Sequence, residues 1–166
     1  YILPGFSTPD WAKGAVWYSL MPDAFFNGDV TNDDSADTTN YDQPWGLGHN
    51  GLQDRYGGDL QGIINKVSYL KELGVDAVFV NTISMSPQNA GYGSADLNQI
   101  ESTFGNVNKF KELISVLHDN DLRIMQDVVV YFTPSNSIYV NKSNFFWPNP
   151  GAFSGTNDAI NPENPY

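Results

Sequence analysis

Cysteine is absent from all 166 residues, which excludes a disulfide framework, a thiolate metal site and a cysteine nucleophile. Positive charge is almost as scarce. Lys and Arg number 8 against 19 Asp and Glu, for a net charge of −11. Phosphate backbones and anionic lipid are recognised through clustered Lys and Arg, so neither nucleic acid nor an anionic membrane suits this chain as a partner. No apolar run approaches the roughly 20 residues of a membrane span, and no signal-peptide pattern is present. Tyr1 and Tyr166 both read as cut rather than natural ends. The lack of cysteine fits a bacterial secreted or cell-surface protein, or a cytoplasmic one.

What is present suffices for a core. Apolar residues make up 40% and aromatics 14% of the chain, and its length suits one ordinary domain. The clearest pattern runs from Gly57 to Asn81. Asp59 stands where a helix N-cap belongs. Leu60, Ile63, Ile64, Val67, Leu70 and Leu73 follow at three- and four-residue spacing, the period of one helical face. Gly74 suits the left-handed residue that closes a helix. The unbroken apolar run Ala77-Val78-Phe79-Val80 then reads as a strand covered on both sides.

The same alternation recurs on either side. Ala15 to Met21 reads as a first strand, ended by Pro22. Asn106 caps a second helix with the stripe Val107, Phe110, Leu113, Ile114 and Leu117, and Asp121 turns into a third strand from Leu122 to Val130. The order is β-α-β-α-β, which implies a parallel sheet with right-handed crossovers. Chemistry in such folds collects at the carboxyl ends of the strands. Here those ends open into the long polar stretches after Pro22, Thr82 and Tyr131, whereas the turns at Gly74 and Asn120-Asp121 are short.

Within the first long loop, Asn27-Gly28-Asp29-Val30-Thr31-Asn32-Asp33-Asp34 packs oxygen donors closely. Calcium takes six to eight oxygens from carboxylates, amides and backbone, and Asn27, Asp29, Asn32 and Asp33 can converge on one ion. The same residues also suit a solvated acidic turn. The spaced Gly and distant Glu of an EF-hand are missing. Gly46-Leu47-Gly48-His49-Asn50-Gly51 matches G-x-G-x-x-G, but it neither follows a strand nor opens a helix, which disfavours a phosphate- or nucleotide-binding α/β domain. Asn141-Lys142-Ser143 is a glycosylation sequon, meaningful only in a eukaryotic secretory setting. His118 falls where it complements a helix dipole. Trp45, Tyr92, Phe145, Phe146 and Trp147 are loop aromatics, suited either to stacking on sugar rings or to pinning loops onto the core.

Taken together, several of these pieces resemble the start of the catalytic barrel of the α-amylase family, glycoside hydrolase family 13. The subgroup most alike is the neopullulanases, cyclomaltodextrinases and cyclodextrin glucanotransferases. The matching runs are Trp17-Tyr18-Ser19-Leu20-Met21-Pro22-Asp23-Ala24-Phe25, NGDVTNDD, YGGDLQGI, YLKELGVDAVFVN, GYGSADLNQIESTFG and DVVVYFT, in family order across roughly three-quarters of the chain. The resemblance implies a (β/α)8 barrel whose β1-α1-β2-α2-β3 portion fills residues 1–130, with an irregular inserted domain B starting at 131–166. It implies one calcium held by Asn27, Asp29, Asn32, Asp33, the carbonyl of Gly57, and Asp59. It implies an α-glucan substrate such as starch, pullulan or maltooligosaccharides, met here by Tyr92, Asp96 and Phe132.

Three positions depart from the family pattern. Tyr131 and Phe132 replace the Asn and His of D-x-V-x-N-H, and Gly93 replaces the Asp that usually follows the stacking Tyr. The two carboxylates of the retaining mechanism belong after later strands, so no carboxylate of these 166 residues is a catalytic candidate. The remainder of the barrel is then this segment's partner in the full-length chain. Tyr131, Phe132 and Gly93 also fit a non-catalytic, glucan-binding or scaffolding relative.

Overall fold

In the computed structural model, the described residues are 5, 7–34, 44–46, 55–86 and 93–130. Three strands form a parallel sheet in the order β1 (Trp17–Leu20), β2 (Ala77–Val80), β5 (Arg123–Gln126). Trp17, Ala77 and Arg123 lie in register at one end, and Leu20, Val80 and Gln126 at the other. A two-stranded antiparallel hairpin, β3 (Ser84–Met85) and β4 (Asp96–Ile100), rises from the carboxyl end of β2. Three helices, α1 (Leu60–Asn65), α2 (Val67–Glu72) and α3 (Val107–Asp119), make the two crossovers.

The sheet has two unlike faces, because successive side chains of a strand point to opposite sides. Leu20, Val78 and Val80 join Leu60, Ile63, Val67, Leu70, Leu113, Leu117 and Leu122 in the core beneath the helices. The opposite face carries Trp17, Ser19, Ala77, Phe79, Arg123 and Met125 in matched rows. Trp17 and Met125 stay partly open to solvent there. This is the face that a barrel turns inward.

Both helix-to-strand turns are built alike. At the first, Gly74 has φ +73°, its amide donates to the Lys71 carbonyl, and Val75 donates to Leu70. At the second, Asp121 has φ +62°, its amide donates to His118, and Leu122 donates to Leu117. These are two Schellman closures, one using the residue without a Cβ and one using Asp.

The expected first helix is two. Lys66 has φ −107° and ψ 12°, which breaks the run between Asn65 and Val67. Its ammonium lies 4.0 Å from the ring centroids of both Phe26 and Trp45. Leu73 and Val107, expected on buried stripes, are exposed, because Leu73 caps a helix that has already begun to turn and Val107 is the first residue of α3. The first and third strands are shorter than their apolar runs, at 17–20 and 123–126. The stretch Thr82 to Gly105, read as loop, contains the hairpin β3–β4. Residues 131–166, expected to begin an inserted domain, lie outside the described residues, as do His49, Asn141 and the aromatics at 145–147.

Candidate metal centre

The site is built around one carboxylate. Asp59 caps α1 from an extended backbone, and its Oδ1 accepts the Gly62 amide at 2.6 Å. It is fully buried. An isolated carboxylate in that position would be costly, so its partners matter. Oδ1 also accepts the Gly28 amide at 3.2 Å, and Oδ2 accepts the Asp29 amide and the Asn32 Nδ2, both at 2.9 Å. One side chain thus caps the helix and holds the acidic loop against it. Charge-assisted bonds of this kind are the strong ones.

The loop and helix also meet backbone to backbone. Asp59 donates its amide to the Phe26 carbonyl at 3.2 Å, and Gly58 donates to the Asp23 carbonyl at 2.8 Å. A Cβ on Gly62 would fall on the Phe26 carbonyl oxygen, so that position admits no side chain. A second buried carboxylate supports the approach to the cap. Asp23, in the 3₁₀ turn Pro22–Ala24, accepts the Tyr56 amide on Oδ2 at 3.1 Å and the Gly57 amide on Oδ1 at 3.3 Å.

Asn27 and Asn32 have a common feature. Asn27 turns Nδ2 to both oxygens of Asp33, at 2.9 and 3.0 Å, and Asn32 turns Nδ2 to Asp59. The Oδ1 atoms of Asn27 and Asn32 are both buried without a hydrogen-bond partner. Buried acceptors left unpaired are uncommon and costly, and a hard cation satisfies such oxygens. Asp29 directs Oδ1 to the hydroxyl of Thr31 at 2.6 Å and to its amide at 3.1 Å. Those bonds, with a smaller contribution from Lys109, hold its carboxyl below the usual value of 3.8. Among the described residues, no three His, Cys, Asp or Glu side chains gather as they would around a metal. The oxygens this loop leaves for a cation are amide oxygens beside single acids, a donor chemistry that hard ions accept and soft ions do not.

Of the expected substrate contacts, Asp96 opens β4 and is buried. It accepts the Asn98 amide at 2.8 Å, Asn98 Nδ2 at 3.3 Å and Gln99 Nε2 at 2.8 Å, local bonds that order the start of β4. Tyr92, Tyr131 and Phe132 lie outside the described residues. Trp45, a candidate for sugar stacking, instead meets Phe25, Phe26 and Tyr69 edge-on, with centroids 5.9, 5.9 and 4.8 Å away. It pins its loop segment to α2.

Two residues escaped the sequence reading. Asp23 carries no helical or metal-spacing signal, and its hints of a role are its place in the matching run Trp17 to Phe25 and directly after a strand-ending Pro. Lys66 lies off the apolar stripe of residues 60–73, so nothing in the pattern points to its ring contacts.

The family model described as alpha amylase, catalytic domain, matches residues 19–151. An amylopullulanase of Thermoanaerobacterium saccharolyticum is 35% identical over 97% of this chain and 14% of its own length. An intracellular maltogenic amylase of Bacillus subtilis is 39% identical over 75% of this chain and 20% of its own. Among solved structures, an Anoxybacillus α-amylase superposes with a TM-score of 0.71 at 30% identity, over 95% of this chain and 32% of that one. The parallel β-α-β-α-β unit is thus the N-terminal portion of a (β/α)8 barrel. The chain belongs to the α-amylase family, and it spans less than a quarter of the length of these two curated relatives.

Proposed function

We propose that the whole protein hydrolyses α-glucans by the retaining route, in which a carboxylate nucleophile and a carboxylic acid stand about 5 Å apart. This chain supplies the first three barrel strands and the loops at their carboxyl ends, with both catalytic carboxylates outside its 166 residues. The reading rests on one observation, the alignment of 97% of the chain with an amylopullulanase. Incubating the full-length protein with pullulan, starch and maltooligosaccharides and measuring reducing ends tests it. Release of sugar supports hydrolysis, and retention of glucan in affinity gels without release overturns it.

That second outcome is what a non-catalytic glucan-binding relative gives. Tyr131 and Phe132 favour this alternative, because a phenyl ring at 132 cannot donate the imidazole hydrogen bond of the family pattern. Phe132→His is expected to raise hydrolysis if the rest of the cleft is catalytic, and to leave it unchanged in a binding protein.

Calcium belongs to the same reading. Asn27, Asp29, Asn32, Asp33, the Gly57 carbonyl and Asp59 would hold it, and the two unpaired amide oxygens support this assignment. Bound there, the ion supplies charge neutralisation and a cross-link rather than reaction chemistry. The protein's own part is to bring loop and helix together through Asp59, Gly28 and Gly62.

A further inference from the structure

We infer that Asp23 is a positioning residue for the cation site, acting through the backbone of Tyr56, Gly57 and Gly58; the inference rests on the calcium reading above. None of the six ligand candidates is Asp23, and its carboxylate faces the peptide chain instead. It is buried, at 6% exposure. Three consecutive amides converge on this one residue. Tyr56 and Gly57 donate to its two carboxylate oxygens, and Gly58 donates to its carbonyl.

The geometry of the peptide unit makes this consequential. In a trans peptide the N–H and C=O of one plane point in opposite directions. The Gly58 amide is fixed onto Asp23, so the Gly57 carbonyl of the same plane is turned away from Asp23. The Gly57 amide is held from the other side, and its φ of +74° is a conformation that Asp23 helps to select. Asp23 therefore sets the direction of the one backbone oxygen among the candidate ligands. It also presents the following residue, Asp59, to the acidic loop. Partners of this outer kind commonly change metal affinity by about 10- to 100-fold.

Asp23→Asn is the informative change. The amide keeps the shape but puts an NH2 group opposite the N–H of Tyr56 or of Gly57, a donor facing a donor. Calorimetric titration of the chelator-stripped full chain with calcium chloride reads the effect directly. The expected result is tight binding by the wild type, about tenfold or greater weakening in Asp23→Asn, and recovery to within a few-fold in Asp23→Glu, which restores an anionic acceptor. Melting in chelator separates the roles: a merely structural Asp23 lowers that melt and leaves the calcium affinity unchanged. Unchanged affinity in a folded Asp23→Asn protein overturns the inference while leaving the calcium reading intact. Should Asp23→Asn fail to fold, Asp23→Ser carries the test: its single short hydroxyl cannot accept from both amides, so wild-type calcium affinity in a folded Asp23→Ser protein overturns the inference. A wild type that binds no calcium overturns the calcium reading itself.

Discussion

Two helices of this chain begin in the same way and end up in different circumstances. Asp59 and Asn106 both cap from extended backbone, with φ −148° and −151°, and both accept the amide three residues on. Asn106 is exposed and its side chain takes that bond alone, at 3.0 Å from Lys109. Asp59 is fully buried and takes three further donors from a loop 27 to 31 positions earlier in the chain. The local signal is the same, yet one cap closes a helix and the other joins a helix to a distant segment. A capping motif identifies the helix start, and burial decides what else the cap holds.

The most direct way to break this comparison is to remove both caps. Asp59→Ala leaves the Gly62, Gly28 and Asp29 amides and the Asn32 amide without their acceptor, and is expected to cost on the order of 3–5 kcal/mol in urea unfolding. Asn106→Ala should cost about 1 kcal/mol, the usual value for an exposed cap. Equal losses would show that the loop contacts of Asp59 contribute nothing. Calcium sharpens the contrast next. At a hundredfold excess over its dissociation constant, a ligand that binds only the folded state adds about 2.7 kcal/mol. Calcium should therefore raise the melting temperature, and Asp29→Ala should remove that rise, while Asn106→Ala leaves it in place. A melt indifferent to chelator would rule the ion out.

Smaller effects test the opposite helix ends. Asp121 occupies a left-handed conformation that Gly74 occupies freely at the matching turn. Asp121→Gly is expected to stabilise by about 0.5–1 kcal/mol, since the strain on a residue with a Cβ outweighs the entropy cost of glycine. Destabilisation would mean that the Asp side chain has work of its own there. The smallest effect is one of pH. Thr31 holds the Asp29 carboxyl below its ordinary value, so the folded state favours the ionised form. The contribution is complete above the unfolded value near 3.8 and is lost as pH falls through the lower folded value. Thr31→Val should bring the folded Asp29 value back up in a carbon-13 carboxyl titration, and an unmoved value would assign the depression to another group.

Much of the scaffold was readable in advance because its signals are local. Asp59 and Asn106 lie next to the helices they cap, Gly74 next to the turn it permits, and the apolar stripes follow a fixed period. The resemblance to a known family then proposed which loop residues act together, a grouping that no periodicity carries. What stayed hidden depends on distant partners. The hairpin β3–β4 has a strand of two residues and an irregular register, too little to alternate visibly. The break at Lys66 is accompanied by rings from Phe26 and Trp45, which are 40 and 21 positions away. Asp23 acts on amides more than 30 residues later.

The packing of Trp45 has an optical consequence. Its indole lies against Phe26, the residue before Asn27, in a cluster with Phe25, Tyr69 and the Lys66 ammonium. If the acidic loop holds calcium as proposed, an aromatic absorber so placed would serve as an antenna for a luminescent trivalent lanthanide taken up in its stead. Excitation in the near ultraviolet should therefore give sensitised terbium emission from the native sequence, and Trp45→Phe should dim it without displacing the ion.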